Sequence, residues 1–144
     1  MSFIKDIMDT EDQYVRYSTS TSEKKLSERL GINWYHNIQD WDLITSDYGR
    51  ISDFLKIYQT ELKDDDDKFT LMQLIISSFD DGISNANSKE LKNWKVCKTI
   101  LLKECYLHYS TIKYWSLLDT EIEDTFSITP LMREIWKDTE LKFK

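Results

Sequence analysis

Apolar residues recur at spacings of three and four along most of this chain, the period of helices that bury one face. The clearest stripe is Ile51, Phe54, Leu55, Tyr58 and Leu62. It predicts a helix from about Asp47 to Leu62, capped by Ser46 or Asp47. A second stripe, Phe69, Met72, Ile75, Ile76, Phe79 and Ile83, follows the run Asp64 to Asp67 and stops at Gly82 and Asn85 to Asn87. Ser88 then caps the longest predicted helix, about Lys89 to Leu118. Its Leu91, Trp94, Cys97 or Lys98, Leu101, Cys105, His108, Ile112 and Trp115 again fall at threes and fours.

The flanks are shorter. Phe3, Ile4, Ile7 and Met8 place a first helix within residues 1 to 17. Ser20 and Glu23 have capping-box spacing, so a short helix should run from Thr21 to Leu30 and end at Gly31. Ile32 to Ser46 follows neither period and is dense in rings, which reads as a structured loop with one helical turn and room for a short strand. Asp119 to Ser127 reads as an acidic loop. Thr129 and Pro130 carry the N-cap and N1 signature of a last helix to about Leu141, with Leu131, Ile135 and Trp136 facing inward.

Composition supports this. Val occurs twice, Gly three times and Pro once, so the turn punctuation of a sandwich or barrel is missing. The expected fold is all-α, a single compact domain of about five to six helices over residues 1 to 144. Its core should come from Phe54, Leu55, Tyr58, Met72, Ile75, Ile76, Phe79, Leu91, Trp94, Leu101, Cys105, Ile112, Trp115, Leu131 and Ile135. The chain has no apolar run long enough to span a membrane, and the acidic start Met1 to Asp12 lacks the basic region of a secretory signal. A cytoplasmic protein without membrane contact is expected.

Charge narrows the partners. Nineteen Lys and Arg face 26 Asp and Glu, a net charge of −7, which disfavours direct nucleic-acid binding. Residues 1 to 72 hold 9 basic and 15 acidic side chains, so the excess sits in the first half.

Chemistry-bearing sets are incomplete. Cys105 and His108 stand three apart on one helical face, a spacing that can present two zinc ligands or a thiol and its base. No third ligand accompanies them, and an apolar stripe raises a thiol pKa. Cys97 and Cys105 are about 12 Å apart along a helix, beyond disulfide reach. With three glycines, no phosphate-cradling loop can be built. No enzyme activity, metal or cofactor is expected, and a metal-binding or thiol enzyme on Cys105 and His108 is the minor alternative.

Two constellations point to a protein partner. Trp34, Tyr35, Trp41 and Tyr48 interleave with Asp40, Asp42 and Asp47. Such rings either plug a helical core or anchor an interface, where Trp and Tyr are enriched and carboxylates steer a cationic partner. Asp64, Asp65, Asp66 and Asp67 either favour a helix macrodipole from its N-terminus or form an acidic lip.

The string Thr111-Ile112-Lys113-Tyr114-Trp115, an acidic stretch, then Ile128-Thr129-Pro130-Leu131-Met132-Arg133-Glu134-Ile135-Trp136 resembles small helical immunity proteins of bacterial toxin–immunity loci. The resemblance covers roughly residues 70 to 136. It implies a compact cytoplasmic inhibitor that binds and blocks a cognate toxin domain, often a nuclease with a basic cleft, and it assigns no individual residue. An acidic regulatory protein that mimics DNA is the alternative within the same charge pattern.

Overall fold

The computed structural model describes residues 13–83 and 88–144. The class is all-α, as expected. Seven α-helices occur among the described residues, with no strand. They are α1 Ser20–Leu30, α2 Trp41–Ile44, α3 Ile51–Thr60, α4 Asp65–Gly82, α5 Ser88–Lys103, α6 Tyr109–Ser116 and α7 Thr129–Thr139. Short 3-10 turns cover Tyr48–Arg50, Ile122–Asp124 and Glu140–Phe143. The helix predicted within residues 1 to 17 lies mostly outside the described residues. From Gln13 to Thr19 the chain makes a turn and then runs without regular structure. None of the described helices is long and apolar enough to cross a membrane.

Contacts gather the chain into two compact units, Tyr17–Cys97 and Met1–Arg16 with Lys98–Lys144. In the first, α4 is the central element, with α1, α2, α3 and the 48–50 turn packed against it. Phe69, Leu71, Met72, Leu74, Ile75, Ile76 and Phe79 are all fully buried. The stripe read from the sequence is therefore one face of a helix covered nearly all round, and buried Ser77 and Ser78 belong to the rest. Where Gly82 ends α4, an added Cβ would fall inside the Tyr48 ring.

Local signals set the helix ends. Thr19, rather than Ser20, caps α1. Its hydroxyl accepts from the Ser22 amide at 3.1 Å while Ser18 Oγ donates to Glu23 at 2.8 Å, dividing the capping-box roles between neighbours. Gly31 closes α1 at φ 71°, a left-handed conformation that glycine takes without strain. Asp47 accepts from the Gly49 amide at 3.0 Å and opens the 3-10 turn that leads into α3.

The second unit corrects the longest predicted helix. Residues 104–108 form a turn, with the Leu107 and His108 amides both donating to the Glu104 carbonyl. Cys, Tyr and His are weak helix formers, and the rings have better partners elsewhere. Tyr106 and Tyr109 both meet Phe143, at 5.8 and 4.7 Å between centroids, and Tyr14 and Trp136 join the cluster. Leu91 is exposed and Leu131 half-buried, against expectation. The buried stripes keep the expected Trp94, Cys97, Leu101, Ile135 and Trp136 and add Ile100 on α5 and Ile128, Met132 and Thr139 along α7. Ile128, one residue earlier than predicted, is the N-cap of α7. The Thr129 hydroxyl donates instead to the Trp115 carbonyl at 2.7 Å, satisfying one orphan acceptor at the end of α6.

Candidate functional site

The sequence-selected residues are all in the first unit, and the structure sorts them. Trp41 is only 2% exposed and donates its indole N–H to Ser27 Oγ at 2.8 Å, pinning α2 to α1. Its role is packing, and it presents no surface to a partner. Trp34 is half-buried, with the Lys24 ammonium 5.6 Å from its ring centre. Tyr35, at 57% exposure, is the one strongly exposed ring of the four.

The aspartate run divides in the same way. Asp64 is the N-cap of α4 and accepts from the amides of Asp66 at 2.7 Å and Asp67 at 3.3 Å. Asp67 is buried, takes the Ser22 hydroxyl at 2.7 Å and pairs with Lys25 at 2.8 Å. That pairing holds the Lys25 ammonium above its ordinary pKa, first through the hydrogen bond and then through charge. Asp67 therefore belongs to the α1–α4 contact, leaving Asp64, Asp65 and Asp66 exposed beside it. Asp64→Ala should cost about 1 kcal/mol through the lost cap, measured by urea denaturation, whereas Asp65→Asn should stay within about 0.5 kcal/mol.

Asp47 does not share a patch with that run. The Asp47 amide donates to Ser78 Oγ at 3.0 Å, near the end of α4 opposite Asp64. At 1.5 Å per residue, these ends lie about 20 Å apart. Asp42 lies within reach of the charge of Glu23, in the first turn of α1. Burial raises the Asp42 carboxyl above the ordinary carboxylate range, and the charges of Asp40 and Glu23 push the same way. The backbone amides of Asp42 and Leu43 only partly offset this. Asp40 starts α2 at φ 53° without a side-chain capping bond, so its carboxylate is not consumed by local folding.

Two neighbouring residues escaped the sequence reading. Leu43 and Ile44 are exposed, Ile44 at 60%, on the short helix whose Trp41 points inward. Ser46 Oγ reaches both the Leu43 carbonyl, at 3.2 Å, and the Asp81 carboxylate, tying the end of this helix to α4. An aperiodic segment gives no means of telling which of its apolar residues turn outward.

The pH dependence of stability follows from Asp42. A carboxyl whose folded pKa is raised contributes stability that is complete below the unfolded pKa and lost as pH rises through the folded one. At neutral pH the charged form therefore opposes folding. Asp42→Asn, which keeps an acceptor for the two amides, should raise Tm at pH 7, with the gain shrinking to nothing as pH falls below the ordinary carboxylate range. A pH series of thermal melts checks this.

The alternative thiol site has different surroundings. Cys105 and His108 are both buried, within the 104–108 turn that follows α5. Cys97 sits 3.8 Å from Met72 Sδ, and burial pushes its thiol pKa up. Among the described residues, no three His, Cys, Asp or Glu side chains gather where a metal ion could be held. No protein-family model matches the chain, and comparison with curated proteins and with solved structures returns no significant match.

Proposed function

We propose that this chain is a non-enzymatic, protein-binding inhibitor of immunity type that blocks a cognate domain with a basic surface. The observation that carries the reading is Asp42, half-buried and held above the ordinary carboxylate range first by burial and then by the charges of Asp40 and Glu23, with exposed Leu43 and Ile44 next to it in the chain and exposed Tyr35 on the same aromatic segment. Carboxylates that oppose one another at a cost to folding are a mark of functional sites. A partner's Lys or Arg placed there would relieve the repulsion, and the nearby ring and aliphatic side chains would hold the complex after electrostatic encounter.

The test is affinity capture from the source organism's lysate with the whole chain as bait, identification of the bound protein, and repetition with Tyr35→Ala and Asp40→Asn/Asp42→Asn. These sites are exposed or half-buried, so the variants should fold. A basic partner is expected, weakened about tenfold or more by either variant, with the carboxylate pair also losing most of the salt sensitivity. Capture that is indifferent to salt and to both variants rules out this face as the contact surface.

A further inference from the structure

The second compact unit carries an exposed segment that the reading above does not use. Leu117–Phe126 contains Asp119, Glu121, Glu123 and Asp124, all exposed, and no basic residue. Among the described residues, none of these four carboxylates has a side-chain hydrogen bond or ion pair. Interspersed with them are large exposed apolar side chains, Leu118 at 43% and Ile122 at 49%, with Tyr114 at 54% one turn before the loop. The Tyr114 ring stacks on Phe126 at 6.0 Å, which brings the two ends of the segment together.

Nearby cations are engaged internally rather than with these acids. Arg133 donates to the carbonyls of Ser116, Leu117 and Thr120 at 2.7, 2.6 and 2.7 Å. Lys113 donates to the Tyr109 hydroxyl at 3.1 Å and lies over the same ring. The loop is held further by the Ile122–Asp124 turn and by Thr125 Oγ1 donating to the Ile122 carbonyl at 2.6 Å. A segment fixed this firmly gives up little conformational entropy on binding. Its apolar side chains, held in water among carboxylates without an ion pair, would be covered by a partner that brings apolar contact and positive charge together.

We propose that Tyr114 together with Leu117–Phe126 is a second docking surface, fitted to an amphipathic helix of a partner protein that presents apolar side chains flanked by cations. Charge complementarity selects this occupant, since a nucleic acid or an anionic membrane would meet four carboxylates of its own sign. The proposal is independent of the Glu23, Asp40 and Asp42 face, which belongs to the other unit.

The experiment is residue-resolved NMR of the isotopically labelled full chain, titrated with an amphipathic helical peptide of Leu and Lys. An all-Lys peptide and a Leu/Glu peptide of equal length serve as controls. Shifts concentrated at residues 114–126 are expected with the Leu/Lys peptide, much weaker ones with all-Lys and none with Leu/Glu. Leu118→Ser/Ile122→Ser, at exposed positions, should weaken binding about tenfold, and Glu121→Gln/Glu123→Gln should reduce its salt dependence. The proposal is overturned if no shifts appear at 114–126 at millimolar peptide, if the all-Lys peptide binds there equally well, or if the serine pair leaves affinity unchanged. Shifts confined to residues 35–47 likewise count against it, whereas the capture experiment with Asp40 and Asp42 variants succeeds or fails on its own.

Discussion

Trp41→Ala is expected to destabilise the protein by about 3–5 kcal/mol and to lower Tm by roughly 10 °C, because it empties a fully enclosed indole site and leaves Ser27 Oγ without its donor. The hydrogen bond and the cavity can be separated. Trp41→Phe keeps most of the filling but not the N–H, and Ser27→Ala keeps the ring while leaving a buried donor unsatisfied, so each should cost about 1–3 kcal/mol. Urea denaturation of the three variants measures all of this. A loss below about 1 kcal/mol in Trp41→Ala would mean that α2 is not pinned to α1 by this side chain. Trp41→Ala is consequently a poor probe of binding, since lost affinity would report lost structure. Tyr35 is the ring to truncate for that purpose.

Arg133→Ala should have the next largest effect, about 2–4 kcal/mol. Three carbonyls at and beyond the end of α6 lose a charged donor together, at a terminus where the helix dipole also favours a cation. Leu117 follows α6 at φ 42°, without a glycine to relax the bend, so the remaining interactions at this corner are strained when the guanidinium goes. Arg133→Lys should recover only part of the loss, because an ammonium lacks the planar fork that spans three acceptors. Hydrogen exchange should localise the damage, with faster exchange at 117–126 in Arg133→Ala and little change at the core amides of α4.

How far the sequence carried these conclusions differs by element. The stripe Ile51, Phe54, Leu55 and Tyr58, the stop at Gly31 and the placing of an aspartate run at a helix start were all legible, because each depends on residues within a few positions of one another. The break at 104–108 was not. Periodicity continues through Cys105, His108 and Ile112, and what interrupts the helix is a ring cluster assembled with Tyr14, Trp136 and Phe143 from distant parts of the sequence. Leu91 shows a related limit, since a three-and-four spacing identifies a face without showing how far cover extends along it.

The candidate site was legible in composition and not in arrangement. Asp67 and Asp64 look alike in a run of four, yet one is held by Ser22, 45 residues away in sequence, while the other caps its own helix. Trp41 and Tyr35 likewise stand in one aromatic segment and differ in burial from 2% to 57%. Only tertiary partners separate a ring that fills the core from one that meets solvent. The crowding of Asp42 by Glu23, which comes from a different helix, had no signature in the sequence.

The measurement that bears most directly on the inhibitor reading is titration of the captured partner's own activity with the purified chain. The account predicts loss of activity that is complete at one chain per partner molecule, with Asp40→Asn/Asp42→Asn needing a large excess at low salt. A partner that remains fully active when saturated with the chain would contradict it.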